Sequence, residues 1–346
     1  MSFQDIKGQD KTIEFLKDYI RQSRLGGGYL FTGPKDIGKK LVAKTLAKAV
    51  NCEEKGLDSC DRCNSCLRID KNEHPDFHLI DINEISDAIK IEYIRQLQKE
   101  INLKPYEARY KVFIINHAEN LTAEAQNAVL KTLEEPPQHS LIILIASNPK
   151  FLFKTIISRC QIFKFNSLPR LRLEQILKEN YQLDNNLAHF LAYFSEGRIG
   201  EAIILKDTDI LREKNRIIDQ FVFPNTTIKK GFASGSRSYT EATATFGTLK
   251  KSGLGNLALQ NRQELRGCLN ILSGWFRDLY LIKIGMPYSE LINIDRKNEL
   301  LSFMQRYSFS DLDEIINSIS DSLLYLEQNV NIKLLLSKLQ VSLWKS

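Results

Sequence analysis

The sequence predicts a two-part fold: an α/β domain built on a parallel sheet, then a region that is helical throughout. Three observations predict it. Apolar runs of strand length alternate with stretches of helical periodicity through the first half of the chain. A glycine loop, Gly33-Pro34-Lys35-Asp36-Ile37-Gly38-Lys39-Lys40, lies between one such run and one such helix. Beyond Leu168-Pro169 the apolar spacing is helical only.

In chain order, residues 3–25 place Ile13, Leu16 and Ile20 on one helical face, with Asp10 positioned to cap the helix. Tyr29-Leu30-Phe31 is the strand that delivers the glycine loop, and Leu41 through Val50 is the helix that leaves it. Phe77 to Asp81 reads as a short strand. Ile91, Ile94, Leu97 and Ile101 share a face of a helix over 90–102. Lys111–Ile115 and Leu141–Ala146 are strand-length apolar runs, and the helix between them, Thr122 to Glu135, is stopped by Pro136-Pro137. This alternation means a parallel sheet covered on both faces. Helices are expected at about 170–182, 185–194, 198–205 and 211–223, and amphipathic spacing resumes from Arg262 to Lys345. Residues 225–258, rich in Gly, Ser and Thr, are expected to form a loop or irregular insertion.

At 346 residues the chain can bury two or three cores, and 43% hydrophobic with 26% charged residues is ordinary for a soluble protein. A net charge of +6 permits contact with nucleic acid without requiring it. The first eight residues lack the basic and apolar regions of a signal peptide, and no stretch reaches the ~20 apolar residues that span a bilayer. A cytoplasmic protein without a membrane partner is expected, its six cysteines being thiols or metal ligands rather than disulfides.

Four motifs carry chemistry. In the glycine loop, Gly33 and Gly38 let backbone N–H groups converge on phosphate oxygens, and Lys39 reaches the terminal phosphates. Lys40 stands where a Ser or Thr hydroxyl would ligate Mg²⁺, so the loop can hold a phosphate or ADP but is not expected to hydrolyse Mg²⁺-ATP. The second motif is Cys52-x7-Cys60-x2-Cys63-x2-Cys66, four thiolates that can close a tetrahedral, structural Zn²⁺ site. The plain alternative is four unliganded thiols. His74 and His78 are expected as ordinary polar contacts, and Cys160 and Cys268 as small buried hydrophobes. The third motif follows strand 111–115, where a phosphate-loop ATPase carries a metal-binding Asp and a catalytic Glu. Here Asn116 and His117 stand instead, and Glu119 is read as out of register, a surface or cap residue.

The fourth is a longer stretch, Asn127-Ala-Val-Leu-Lys-Thr-Leu-Glu-Glu-Pro-Pro137, followed by a strand and then Ser158-Arg159-Cys160. With the cysteine module after the phosphate-loop helix and the approach Tyr29-Leu-Phe-Thr-Gly-Pro34, it resembles the bacterial clamp-loader subunits of the AAA+ family. The likeness covers residues 1–210 with specific motifs and 262–346 only in architecture. The family's ATPase type, gamma or tau, keeps Lys-Thr and Asp-Glu at the altered positions; this chain keeps neither. Ser195-Glu-Gly-Arg-Ile-Gly200 also resembles the non-hydrolysing delta prime type of DNA polymerase III.

The resemblance implies an AAA+ α/β domain over 1–167 with a zinc module at 52–66, and a helical lid over 168–224. A helical oligomerisation collar over 261–346 completes it; the 225–260 segment, read as irregular from its composition, departs from the family pattern. It implies that Arg159 acts in trans as an arginine finger on ATP bound by a neighbouring subunit, the alternative being a structural arginine at a strand edge. Asn148 matches a polar sensor and Arg198 a second sensor; equally, Asn148 is a turn residue before Pro149 and Arg198 a solvated helix-start arginine. The implied partners are gamma/tau ATPase subunits and a delta subunit, with the sliding clamp and primed DNA reached through the complex. The collar helices, with Trp275 and Trp344, either pack on neighbouring subunits or close their own core. Two other classes remain: an autonomous ATPase with unusual metal ligation, and a zinc-dependent nucleic-acid module, which the sparse Lys55, Arg62 and Arg68 disfavour.

Overall fold

The computed structural model describes residues 1–81, 88–222, 262–328 and Val330. They divide into two compact units, Met1–Leu173 with Glu196–Glu201, and Glu174–Ser195 with Ala202–Ser346.

The first unit holds α1 (Asp10–Arg21), β1 (Gly27–Thr32), α2 (Lys39–Asn51), α3 (Asn64–Asp70), β2 (Phe77–Ile80), α4 (Ile91–Ile101) and β3 (Lys111–Ile115). It continues through α5 (Ala123–Glu134), β4 (Ser140–Ala146), α6 (Lys154–Ser158) and β5 (Cys160–Lys164). All strand pairs are parallel, in the order β2-β3-β4-β1-β5. β3 and β4 are buried along their whole length, which is why they read as unbroken apolar runs rather than alternating ones. Successive side chains still part to opposite faces. Val112, Ile114, Leu141, Ile143 and Ile145 join Leu16, Val42 and Leu46 of α1 and α2, whereas Phe113, Ile115, Ile142 and Leu144 join Leu97 and Val129 of α4 and α5.

Local signals set the helix ends. The Thr122 hydroxyl accepts the Ala125 N–H at 3.2 Å to start α5, and Pro136-Pro137 follows its C-cap, Glu135. Asp10 does not cap α1. Gln9 occupies that position and spends its amide on the Ile37 and Asn166 carbonyls at 3.3 and 2.9 Å, leaving Asp10 as the first helical residue. A carboxylate there acts on the helix dipole instead.

The helices α7 (Arg170–Tyr181) and α9 (Ile199–Lys206) run through the boundaries between the units. The second unit contains α8 (Asn185–Phe194), α10 (Ile210–Val222), α11 (Arg262–Lys283), α12 (Lys297–Phe303) and α13 (Phe309–Glu327). Its core is formed by Ile218, Leu265, Leu269, Leu272, Leu279, Leu312 and Ile319 around Trp275, which is fully buried. Trp275 therefore closes its own core and is not presented to another subunit. Trp344 and the 225–258 stretch lie outside the described residues. Among the described residues no helix is long and apolar enough to cross a membrane.

Candidate phosphate-loop and metal sites

The carboxyl ends of four parallel strands meet at one edge of the sheet. Register puts Thr32 beside Ala146, Ile115 beside Leu144, and Ile80 beside Ile115. The residues that follow the strands, Gly33, Ser147, Asn116 and Asp81, consequently gather there, where open α/β sheets bind ligands. The turn from β1 into α2 needs its glycines. Gly33 has φ +144° and a Cβ on it would lie 2.2 Å from the Phe165 carbonyl oxygen; Gly38, at φ +93°, opens α2.

Lys39 is 6% exposed and folds back over the loop, donating to the carbonyl of Gly33 at 2.6 Å, to that of Pro34, and to Ser147 Oγ at 3.4 Å. Burial pushes its ammonium down to about 8, against the pull of the Glu119 and Asp36 carboxylates. Glu119 is thus neither a surface nor a cap residue. His117, at φ 53°, turns the chain straight after β3 into the 3-10 turn Ala118–Asn120. Glu119 Oε1 then accepts the Ser147 N–H at 3.0 Å, and Oε2 is buried with no hydrogen-bond partner among the described residues.

Lys40 is ion-paired with Asp81 Oδ2, and Asn116 Nδ2 donates to Asp81 Oδ1 at 2.8 Å. Asp81 keeps its carboxyl below the ordinary range although burial pushes it up, because Lys40 and Asn116 both donate to it. These residues do not fit Mg²⁺. The hydroxyl position holds an ammonium, the carboxylate position holds an amide turned donor-first toward Asp81, and both Asp81 oxygens are engaged.

The other sensor-type residues divide. Gly200 N–H donates to the Asp36 carbonyl at 2.7 Å, so the segment bearing Arg198 lies against the phosphate loop, and Arg198 pairs with Glu201 at 2.6 Å. Asn148 behaves as a turn residue, its side chain accepting the Lys150 N–H at 3.2 Å; Ser147, one position earlier, is the one that reaches Lys39. Arg159 is the exposed residue that caps the end of α6, donating to the Thr155 carbonyl at 3.0 Å and pairing with Glu134 at 2.8 Å.

The four cysteines converge. Their sulfurs all lie within 4.8 Å of one another, close to the spacing that a tetrahedral thiolate site requires at metal–sulfur distances of about 2.3 Å. Cys63 N–H donates to Cys60 Sγ at 3.3 Å and Cys66 N–H to Cys63 Sγ at 3.4 Å, the amide-to-sulfur contacts that steady thiolates. This donor set can hold a metal ion. Lys48, buried in α2, ties the module down through Asp61 at 2.5 Å and Asp70 at 3.1 Å. Arg62 pairs with Glu54 and Arg68 with Glu107, so those two charges are answered locally, unlike those of a nucleic-acid surface. His74 accepts the Asp76 N–H at 3.1 Å and His78 stacks on Phe113 with centroids 4.5 Å apart. Cys268 is buried as expected, whereas Cys160 is only partly buried, at the edge of the sheet core; desolvation still pushes both thiols up to about 12, which leaves them inert.

Sequence reasoning located the loop and the cysteines but missed Asp81, Ser147 and the inward turn of Glu119. Nothing in their spacing marks them; strand register alone brings them to the loop.

Two family models match this chain, "DNA polymerase III, delta subunit" over residues 8–169 and "DNA polymerase III, delta subunit, C terminal" over residues 249–343. The DNA polymerase III subunit delta′ of Bacillus subtilis is 37% identical over 205 residues, 59% of this chain and 61% of that protein. The tau subunit of the same organism is 35% identical over 214 residues, 60% of this chain and 38% of that one. Among solved structures, a DNA polymerase III gamma subunit-related protein of Thermotoga maritima aligns with 96% of this chain and 98% of its own. That match is loose, at 16% identity and a TM-score of 0.42. The chain thus spans about three fifths of the delta′ relative and less than two fifths of the tau relative. With residues 8–169 and 249–343 matched by DNA polymerase III delta-subunit models, and 35–37% identity to these relatives over about three fifths of its length, the chain belongs to the DNA polymerase III clamp-loader family of delta prime and gamma/tau subunits.

Proposed function

We propose that this chain is a non-hydrolysing subunit of the delta prime type in a cytoplasmic clamp loader, placing the sliding clamp on primed DNA together with gamma/tau ATPase subunits and a delta subunit. The observation that carries this reading is the Lys40–Asp81–Asn116 trio, which fills the place of a catalytic metal with an internal charge pair. The phosphate loop is then a degenerate one, and the chain's contribution to ATP chemistry is Arg159, lent to the site of the adjacent subunit. Its present partner, Glu134, is about half exposed, and a pair of that kind is cheap to exchange for a γ-phosphate. The cysteine module is a structural Zn²⁺ site, and the chain divides functionally into the sheet domain, the 168–224 lid and the 261–346 collar.

Reconstitution tests this. The purified chain turns over no ATP. In the assembled complex, Arg159→Ala silences the neighbouring ATPase site by roughly 10³-fold and stalls clamp loading, with assembly intact. The match to tau supports a second reading, a gamma/tau-like ATPase with atypical metal ligation, and brisk Mg²⁺-ATP turnover by the chain alone would establish it.

A further inference from the structure

The misfit with Mg²⁺ has a chemical consequence for what the loop can take. We propose that the Lys40 ammonium replaces the divalent metal, so that the phosphate loop takes nucleoside di- and triphosphates in their metal-free form and Mg²⁺ works against binding.

Three features converge on it. First, the position that should supply an oxygen to the metal supplies a cation on a side chain 48% exposed, free to turn from Asp81 toward an incoming phosphate. Second, an ionised carboxylate only accepts, so Asn116 must present its NH₂ to Asp81 Oδ1. That orientation aims a donor into the place where Mg²⁺ demands oxygens at about 2.0–2.1 Å. A metal entering here would break both Asp81 contacts and stand beside the ammonium of Lys40, like charge against like. Third, a second cation is already in the loop. Among the described residues Lys39 donates its hydrogen bonds to neutral acceptors, the Gly33 and Pro34 carbonyls and the Ser147 hydroxyl, each weaker than a phosphate oxygen, while the Glu119 and Asp36 carboxylates act on it only from a distance. Two lysines and the amides at the start of α2 can therefore answer a bare polyphosphate, whose charge a bound metal would otherwise have neutralised. Asp81 holds Lys40 in place while no phosphate is bound.

The inference rests on the phosphate-loop reading and not on Arg159, so its failure leaves the role in trans standing. The test is calorimetric titration of the full chain with ADP, and in parallel with pyrophosphate, in Mg²⁺-free buffer and in excess Mg²⁺. No chelator is used, because it would strip the cysteine site. Binding is expected without Mg²⁺ and weakened at least about tenfold by it. Lys40→Thr restores the missing hydroxyl and is expected to reverse the order, with Mg²⁺ now strengthening binding. Asp81→Asn frees Lys40 and is expected to tighten metal-free binding several-fold while the thermal midpoint holds. No binding without Mg²⁺, equal binding in both buffers, or tighter binding by the unaltered chain in Mg²⁺ would each overturn the proposal.

Discussion

At the scale of single residues, charge is placed by what it can donate to or accept from. Asp76 is fully buried and accepts the backbone N–H groups of Tyr106, Glu107 and Ala108 at 2.8–3.0 Å, with the Lys111 ammonium 3.9 Å away. Burial pushes its carboxyl up, but those amides win and hold it below the ordinary value of 3.8. A depressed carboxylate contributes stability that is whole above about pH 4 and is lost as pH falls through the folded value. Asp76→Asn is expected to cost about 2 kcal/mol at pH 7 in urea melts. It should also flatten the stability loss of the native chain below pH 4; an unchanged acid limb would refute this role for Asp76.

At the scale of elements, close backbone approach decides which segments meet. The 196–201 segment touches the phosphate loop because Gly200 has no side chain: a Cβ there would lie 2.6 Å from the Asp36 carbonyl oxygen. Gly200→Ala is expected to cost about 1–3 kcal/mol as overpacking and to break the Gly200–Asp36 hydrogen bond. Hydrogen exchange should then quicken at the amides of residues 33–39 and leave α11 and α13 unaltered. The positions of Gly33, Gly38 and the cysteines were legible in the sequence because each motif closes within a few residues. The inward turn of Glu119 was not, since it depends on a left-handed His117, and a lone non-glycine residue is too seldom in that conformation to announce it in the sequence.

At the scale of the molecule, the two units carry separate cores, one around the sheet and one around Trp275. The cysteine module belongs to the first, anchored to α2 by Lys48. If the cysteine cluster holds a metal as proposed, chelation, or Cys66→Ser, is expected to destabilise that unit by about 4 kcal/mol, a fall of about 10 °C in its thermal midpoint. The helical signal of the second unit should survive to its own transition. A single transition unmoved by chelation would count against any metal there.

The sequence by itself determined the order of strands and helices, the phosphate loop and the thiolate cluster, because hydrophobic period, glycine and cysteine spacing are local properties. Only the tertiary structure decided that Trp275 faces inward, that Ser147 rather than Asn148 reaches the loop lysine, and that Asp81 completes the charge pair at Lys40. The physical reason is register. Residues 35 to over 100 positions apart become neighbours only when parallel strands align their carboxyl ends, and that alignment is fixed by packing on both faces of the sheet.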